Sequence, residues 1–218
     1  VPTANCGPIN IGGSGNTRPI LTNPTGASIN LSNGLIANNF NIVDSAIGIS
    51  GSGDLTGAGS GRPSLARHID IYRTDATAST QGVVISNATG DAAFRDVNIG
   101  RFVTLPDGST QAQTMTNGSF IVEGGDPSID FANGSIVNTE DSIIRVTGTI
   151  GGNVVLTANP GSPFTDTGTG VLIENASGDV TVRNKNPGVV SLSIASQQDG
   201  IKVVSSAGTQ PFDGTEIT

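Results

Sequence analysis

The chain of 218 residues has no Trp, one Tyr, one Met and seven Phe, so the bulky side chains that fill a globular core are scarce. Gly is abundant, at 31 residues. Asn, Ser, Thr and Asp fill most of the remaining positions, and these residues hydrogen-bond their own backbone in turns while competing poorly for helix interiors. The composition therefore predicts an all-β protein without long helices, whose interior is built from Val, Ile and Leu.

Cysteine is nearly absent as well. The single Cys6 cannot form an intrachain disulfide, so it is either an incidental free thiol or a partner for another chain. There is no apolar run of about 18 residues, which predicts no membrane-spanning helix. The start of the sequence has no charged segment followed by an apolar one. We therefore expect a processed mature chain, a fragment, or a protein that never carried a signal peptide.

Positive charge is scarce and dispersed. Ten Lys and Arg residues stand against 18 Asp and Glu, which gives a formal net charge of -8 and a pI near 4.4. From Arg18 to Lys202 the cations occur singly and form no stripe. Such a surface repels a phosphate backbone, so no nucleic-acid partner is expected.

An ungapped internal repeat links the middle of the chain to its last third. Residues 82–95 (GVVISNATGDAAFR) return 88 positions later as residues 170–183 (GVLIENASGDVTVR). Each copy reads as an apolar strand, a turn rich in Asn and Gly, and a second strand that ends in Arg. If one rung of a solenoid takes about 22 residues, the offset is four rungs and the copies share one angular position. Shorter echoes have other spacings, so the rungs must differ in length.

Short strand-like runs separated by Gly, Asn, Asp or Pro recur along the whole chain. Alternation is plain in residues 190–194 (VSLSI), where every second side chain is apolar. A β-sandwich and a parallel β-solenoid both fit these runs. A sandwich fills the gap between its sheets with aromatic residues, whereas a solenoid stacks aliphatic side chains from rung to rung. The aromatic share of 4% favours the solenoid, which we expect to have about ten short rungs.

Residues 1–218 are expected to form a single solenoid domain. Two segments are typical of loops or insertions between rungs: 48–63, which is rich in Gly and Ser, and 105–117, which begins with turn residues and continues with polar ones. The first is equally consistent with a domain boundary. A solenoid usually places its interaction loops in such segments.

Residues 170–182 (GVLIENASGDVTV) and 199–204 (DGIKVV) resemble the passenger regions of bacterial autotransporters and related haemagglutinin-type adhesins. The resemblance extends from about Gly82 to Gly208, and phage tail proteins, surface-layer proteins and filament subunits share much of the pattern. It implies a right-handed parallel β-helix that is exported and presented extracellularly or at the bacterial cell surface. An autotransporter ends in a membrane-embedded translocator, which this chain does not show. The resemblance therefore implies a fragment or a processed passenger without direct membrane insertion.

The only histidine, His68, lies in an alternating run. Strand geometry puts His68, Asp70 and Tyr72 on one face and Ile69 and Ile71 on the other. His, Asp and Tyr on one face could perform acid–base chemistry or bind a metal. One His with one carboxylate completes neither a catalytic triad nor a ligand set, so we interpret this face as the solvent side of an amphipathic strand.

Two acidic pairs, Glu123 with Asp126 and Glu140 with Asp141, have the residue type that a glycan-cleaving enzyme needs. Such enzymes also use aromatic side chains that stack on sugars. With no Trp, one Tyr and Phe residues expected inside, that platform is poorly supplied. We therefore expect a protein that is not an enzyme and has no catalytic residues.

Two Gly-rich segments, 12–16 (GGSGN) and 51–55 (GSGDL), match part of the calcium-binding nonapeptide of β-rolls. Neither repeats in tandem, so simple turns are favoured and no metal or cofactor is expected.

Asn-x-Ser/Thr triplets, the acceptor pattern for glycosylation, begin at Asn30, Asn87, Asn117, Asn133 and Asn175. Asn87 and Asn175 fall in the repeated turn, where an Asx turn or a stack of Asn side chains explains them better.

The leading functional expectation is a non-catalytic structural and adhesive module, with host or neighbouring-cell surface molecules as partners. A self-assembling extracellular filament is the alternative, because unpaired backbone groups at the ends of a solenoid can pair with other copies of the chain. A glycan-active β-helix enzyme is a third class. An ice-binding face would need regularly spaced Thr-x-Thr strands, and the Thr-x-Thr triplets of this chain share no strand period.

Overall fold

The computed structural model describes residues 10–11, 18–58, 60–78, 80–138, 142–148, 154–159, 164–166, 169–174, 180–184, 194–195, 199–204 and 215–217. The regular elements in these ranges are all β-strands, and no helix long and apolar enough to cross a membrane is found among them. The strands are β1 (Asn10–Ile11), β2 (Ile20–Leu21), β3 (Ala27–Leu31), β4 (Ile36–Val43), β5 (Ile47–Asp54), β6 (Ser64–Tyr72), β7 (Gln81–Ile99), β8 (Arg101–Thr104), β9 (Thr110–Gln113), β10 (Phe120–Ala132), β11 (Ser135–Asn138), β12 (Ser142–Thr147), β13 (Val154–Asn159), β14 (Phe164–Asp166), β15 (Thr169–Glu174), β16 (Val180–Asn184), β17 (Ile194–Ala195), β18 (Ile201–Val204) and β19 (Thr215–Ile217). The all-β prediction is confirmed.

Every strand except β8 and β9 belongs to one large sheet whose pairings are parallel. The paired residues lie between 20 positions apart, as in Ala27 with Ile47, and 37 positions apart, as in Val83 with Phe120. Parallel neighbours require long connections of this kind, whereas the sheets of a sandwich are antiparallel and joined by hairpins or Greek-key turns. The β-sandwich alternative therefore disagrees with the pairing.

The pairings fall into three ladders, each of which is a series of parallel strands hydrogen-bonded one to the next. The longer strands contribute a different section to each ladder. We call each successive strand of a ladder a level. The first ladder consists of β3, β5, β7, β10, β12, β15 and β18. The second consists of β1, β4, β6, β7, β10, β13, β16 and β19. The third consists of β2, β4, β6, β7, β11, β14 and β17.

Residues with left-handed backbone bend the long strands where one ladder passes into the next. Between the second and third ladders, four successive levels place such residues in register, and we call this column the left-handed corner: Asn39, His68, Asp96 and Asn133. Their φ angles lie between 52° and 67°. Asn, Asp and His are among the non-Gly residues that tolerate this region best. The corner therefore explains why short polar residues interrupt otherwise apolar strands.

A continuous cluster of buried apolar side chains contains residues of all three ladders. Phe94 and Phe131 are register partners in the second ladder, and their rings stack at 6.5 Å. Phe120, from the first ladder, meets them edge-on at 5.2 Å and 6.2 Å. The three rings join the first ladder to the second, in an interior that otherwise consists mainly of Val, Ile, Leu and Ala.

The 88-residue repeat brings Val83 and Val171 into one column of the first ladder. They are separated by three pairings, in which Val83 pairs with Phe120, Phe120 with Ile144 and Ile144 with Val171. The first strands of the two copies share their register, but the second strands do not, because Ala92 is linked through Ile129 and Leu156 to Val182, 90 positions away. The interpretation as four equal rungs is wrong, because the three steps from Val83 to Val171 span 37, 24 and 27 residues. Among the described residues each ladder has seven or eight levels.

The two segments predicted as loops are strands in part. Residues 48–54 belong to β5, and a Cβ added to Gly48 would lie 2.6 Å from the carbonyl oxygen of Gly82 on the next level. Glycine is present there because two levels pack closely, so the excursion is confined to the residues that follow β5. The second excursion begins at Arg101, earlier than predicted, and β8 pairs with β9 as an antiparallel hairpin.

Candidate functional site

A groove of about 400 Å³ lies between the β8–β9 hairpin and the third ladder. We call it the hairpin groove. Its lining residues come from β6, β7 and β11 on one side and from the base of the hairpin on the other: Asp70, Ile71, Tyr72, Asn98, Gly100, Arg101, Phe102, Ser135 and Val137. The sheet supplies a floor with fixed register, and the hairpin supplies a wall.

Three polar side chains on consecutive levels form the floor. Register pairs Asp70 with Asn98, and Asn98 with Ser135. Asn98 Nδ2 donates to Asp70 Oδ1 at 2.8 Å, and Ser135 Oγ donates to Asn98 Oδ1 at 2.8 Å. Arg18 Nη1 donates to Asp70 Oδ2 at 2.7 Å. The polar row is therefore oriented by its own hydrogen bonds, and the Asp70 charge is balanced.

The wall contributes a cation and an exposed Phe, and the cation packs on an aromatic ring of β6. The guanidinium carbon of Arg101 lies 3.4 Å from the centroid of the Tyr72 ring, a cation–π contact, and Arg101 Nε donates to Gln113 Oε1 at 2.7 Å. Phe102 leaves 50% of its surface exposed. The expectation that Phe residues lie inside is therefore wrong for Phe102, because the hairpin carries it away from the core.

Local hydrogen bonds hold the hairpin turn. Asp107 Oδ1 accepts from the Ser109 hydroxyl at 2.6 Å and from the Ser109 backbone N–H at 2.9 Å. These two bonds lower the pKa of the Asp107 carboxyl, the hydroxyl having the larger effect. Gly108 adopts a φ of 82°, which suits glycine. The turn chemistry predicted for the start of this segment is confirmed by these contacts.

The structure separates His68 from Asp70 and Tyr72. Ile69 and Ile71 are buried, as the alternation predicts. His68 sits at the left-handed corner, and its Nδ1 lies 3.3 Å from Asp96 Oδ2 in a half-exposed pair. Exposed pairs of this kind contribute about 0–1 kcal/mol. Within the described part of the chain, no three His, Cys, Asp or Glu side chains group as a metal site.

The first acidic pair flanks a bend. Gly124 and Gly125 have φ angles of 74° and 78°, and Glu123 and Asp126 lie exposed on either side of them. Glu123 Oε2 accepts from the Ser86 hydroxyl on the adjacent level at 3.1 Å, so Glu123 helps to join the two levels.

Other predicted residues lie outside the described part of the chain, namely Glu140, Asp141, Cys6 and residues 12–16. At the other Gly-rich segment, Asp54 Oδ1 accepts from the Thr56 N–H at 2.8 Å in a turn.

Four of the five Asn-x-Ser/Thr asparagines are described and exposed, namely Asn30, Asn87, Asn117 and Asn133, and Asn175 lies outside the described residues. The stack of Asn side chains proposed for the repeated turn is wrong at Asn87. Its φ is 47°, and register places Gly124 opposite it on the next level. Asn87 is there because the bend needs left-handed backbone.

The sequence prediction missed Asn98, Arg101, Phe102 and Ser135. Asn98 and Ser135 are 37 positions apart and meet only through register, which levels of unequal length conceal. One signal was present for Arg101 and Phe102: an Asp107-Gly108 turn between two short strand-like runs is typical of a hairpin. That pattern would have placed both residues on a projecting element.

No family model, no curated protein and no solved structure matches this chain.

Proposed function

We propose that this chain is a right-handed parallel β-solenoid that acts as a non-catalytic structural and adhesive module, extracellular or on the bacterial cell surface. Three kinds of evidence support the solenoid. The pairings are parallel at offsets of 20 to 37 residues, one apolar cluster contains residues of all three ladders, and left-handed residues mark the passage between ladders. A chain that coils once per level produces this combination.

The observation that carries the adhesive role is the β8–β9 hairpin. It leaves the stack between the third-ladder section of β7 and the first-ladder section of β10. Phe102 and Leu105 on it are 50% and 36% exposed, although large apolar side chains in the ladders are mostly buried. A rigid scaffold that presents a projecting loop is a common design for binding surfaces. The ladders supply shape, and the hairpin with its groove supplies contacts.

The extracellular location rests on the resemblance of residues from Gly82 to Gly208 to autotransporter passengers and haemagglutinin-type adhesins. The acidic surface is in keeping with it, because a net charge of -8 favours solubility and disfavours nucleic-acid binding. The proposed partners are molecules on the surface of a host or neighbouring cell.

Cell retention on coated beads tests the adhesive role. Beads carry the unaltered chain, a variant with residues 102–112 replaced by a short Gly-Ser turn, or a control with residues 57–61 replaced in the same way. We expect the hairpin variant to retain about tenfold fewer cells, as loss of a contact element should, and the control to match the unaltered chain. Retention by the unaltered chain no greater than by bare beads, or equal retention by all three proteins, would contradict the proposal.

A further inference from the structure

We propose that the hairpin groove binds a short stretch of an oligosaccharide. This inference rests on the proposed function, because the sugar would be the molecule that the adhesive module recognises. Its evidence is the chemistry of the groove, which combines a polar floor with a partly apolar wall.

The floor offers hydrogen-bonding groups that match hydroxyls. Asp70 is an acceptor, and Asn98 and Ser135 both donate and accept. The bonds among these three side chains leave capacity at each of them: a second lone pair on each Asp70 oxygen, a second Asn98 amide hydrogen, and the Ser135 lone pairs. A hydroxyl can donate to one such group and accept from another. An apolar ligand would cover this remaining capacity without pairing it, and a second Asn98 amide hydrogen buried in that way would cost about 1–3 kcal/mol.

The spacing of the floor favours a ligand with a repeat. Asp70, Asn98 and Ser135 occupy successive levels, and neighbouring strands lie about 4.8 Å apart. The length of one sugar ring is close to that spacing, so successive rings can address successive levels. The groove volume of about 400 Å³ lies within the range of about 300–1,000 Å³ that is usual for small-ligand sites.

The hairpin wall offers an apolar surface and an ordered cation to a sugar ring that lies on the floor. Phe102, half-exposed, presents an apolar surface on which the C–H face of a ring can pack. Arg101 is held on Tyr72 and by Gln113, so its planar guanidinium is ordered before a ligand binds. An ordered donor loses less conformational entropy on binding than a mobile one.

Other ligand classes fit less well. A peptide strand could not extend the sheet at the floor, because the third-ladder sections of β6 and β7 have paired neighbours on both sides. Nucleic acid is disfavoured by the net charge of -8. The Asp70 carboxylate is already paired with Arg18, so a free cation gains little there.

Titration of the whole chain with neutral and uronate hexasaccharides tests the inference. Calorimetry gives the affinity, and amide NMR shifts locate the site. We expect at least one sugar to bind and to shift Asn98 and Arg101. Phe102→Ala and Ser135→Ala should each weaken binding about tenfold, as is typical for groups central to a site. Val204→Ala and Ser50→Ala are matched controls, since Val204 is an exposed apolar residue of the first ladder at 38% and Ser50 donates to Asn30 on its neighbouring level. They should leave binding unchanged.

Three results would overturn the inference: no binding at millimolar sugar across the panel, shifts that map away from the groove, or binding that Phe102→Ala and Ser135→Ala leave intact. If the sugars fail to bind while the hairpin replacement still abolishes cell retention, the adhesive function stands and only the ligand class is wrong. If a bound sugar is cleaved during the incubation, the groove is a sugar site and the non-catalytic proposal fails.

Discussion

Left-handed backbone occurs where the chain bends from one ladder to the next. The left-handed corner uses Asn, His, Asp and Asn in succession, and the bend after the first ladder uses Asn87, Gly124 and Gly148. The sequence reveals these residues as turn formers. It does not reveal that they align, because alignment depends on level lengths that only the three-dimensional pairing sets.

Gly125 tests the close packing of these bends. An added Cβ would lie 2.1 Å from the Ala88 carbonyl oxygen, and the φ of 78° already disfavours a side chain. Gly53 has a φ of 65° with nothing within 4 Å of an added Cβ. We expect Gly53→Ala to lower the free energy of unfolding by about 1 kcal/mol, from backbone strain alone, and Gly125→Ala by about 3 kcal/mol or more. Urea denaturation compares them, and equal losses would argue against the packing.

Asp44 predicts a pH dependence of stability. Burial raises the pKa of this carboxyl, but bonds from the Thr74 hydroxyl and from the backbone N–H groups of Asp75 and Thr74 outweigh it, so the pKa lies below the ordinary value of 3.8. The contribution of these bonds is therefore complete above the unfolded value and is lost as the pH falls through the lower folded value. Asp44→Asn should cost about 1 kcal/mol at pH 7 and progressively less below pH 4.

The control for Asp44 is Asp107→Asn in the exposed hairpin turn, which should leave the urea midpoint of the whole fold unchanged, since its bonds are confined to the turn. Urea midpoints measured from pH 7 down to pH 3 follow both variants. A penalty for Asp44→Asn that stays the same across that range would show that the charge of Asp44 does not stabilise the fold.

Among the elements, the β8–β9 hairpin differs from the rest. Within the described ranges, β8 and β9 pair only with each other, and they pair antiparallel whereas the strands of the ladders pair parallel. Two-stranded hairpins are marginally stable alone, so this one depends on its contact with the third ladder through Arg101 and Tyr72. The strands of the ladders could be predicted from alternation. The sequence predicts a loop in place of the hairpin, because the run after Asp107 is polar and shows no apolar alternation.

The Phe cluster joins elements of two ladders and predicts a contrast between two Phe substitutions. Phe94 is fully buried between Phe120 and Phe131, so Phe94→Ala should lower the free energy of unfolding by about 4 kcal/mol. Phe102 is half-exposed on the hairpin, and Phe102→Ala should change it by less than about 0.5 kcal/mol. Chemical denaturation followed by far-UV circular dichroism measures both. Similar losses for the two variants would contradict the placement of the rings.

For the whole molecule, composition predicts the all-β fold, and the repeat predicts the register of the first ladder but not of the second, where the stacked residues are 90 positions apart. Val83 and Val171 do occupy one column. The sequence predicts a loop over residues 48–63, although residues 48–54 belong to β5, because glycine serves both as a turn residue and as a residue that lets two strands approach. Gly48 lets two strands approach, and the sequence alone does not distinguish this role from that of a turn residue. The sequence does not predict the groove floor, because Asp70, Asn98 and Ser135 come together only through the register of the strands.

Parallel register between levels is the central claim, and engineered disulfides test it directly. In a Cys6→Ser background, Ser86→Cys with Glu123→Cys and Glu123→Cys with Thr147→Cys each join register partners. Neighbouring strands lie about 4.8 Å apart, within the span of about 4.4–6.8 Å that a disulfide bridges. Ser86→Cys with Asp126→Cys, three residues out of register, is the control. Non-reducing gels and peptide mass mapping should show both in-register pairs cross-linked and the control reduced. Failure of both in-register pairs, or equal cross-linking of the control, would contradict the stacked parallel fold.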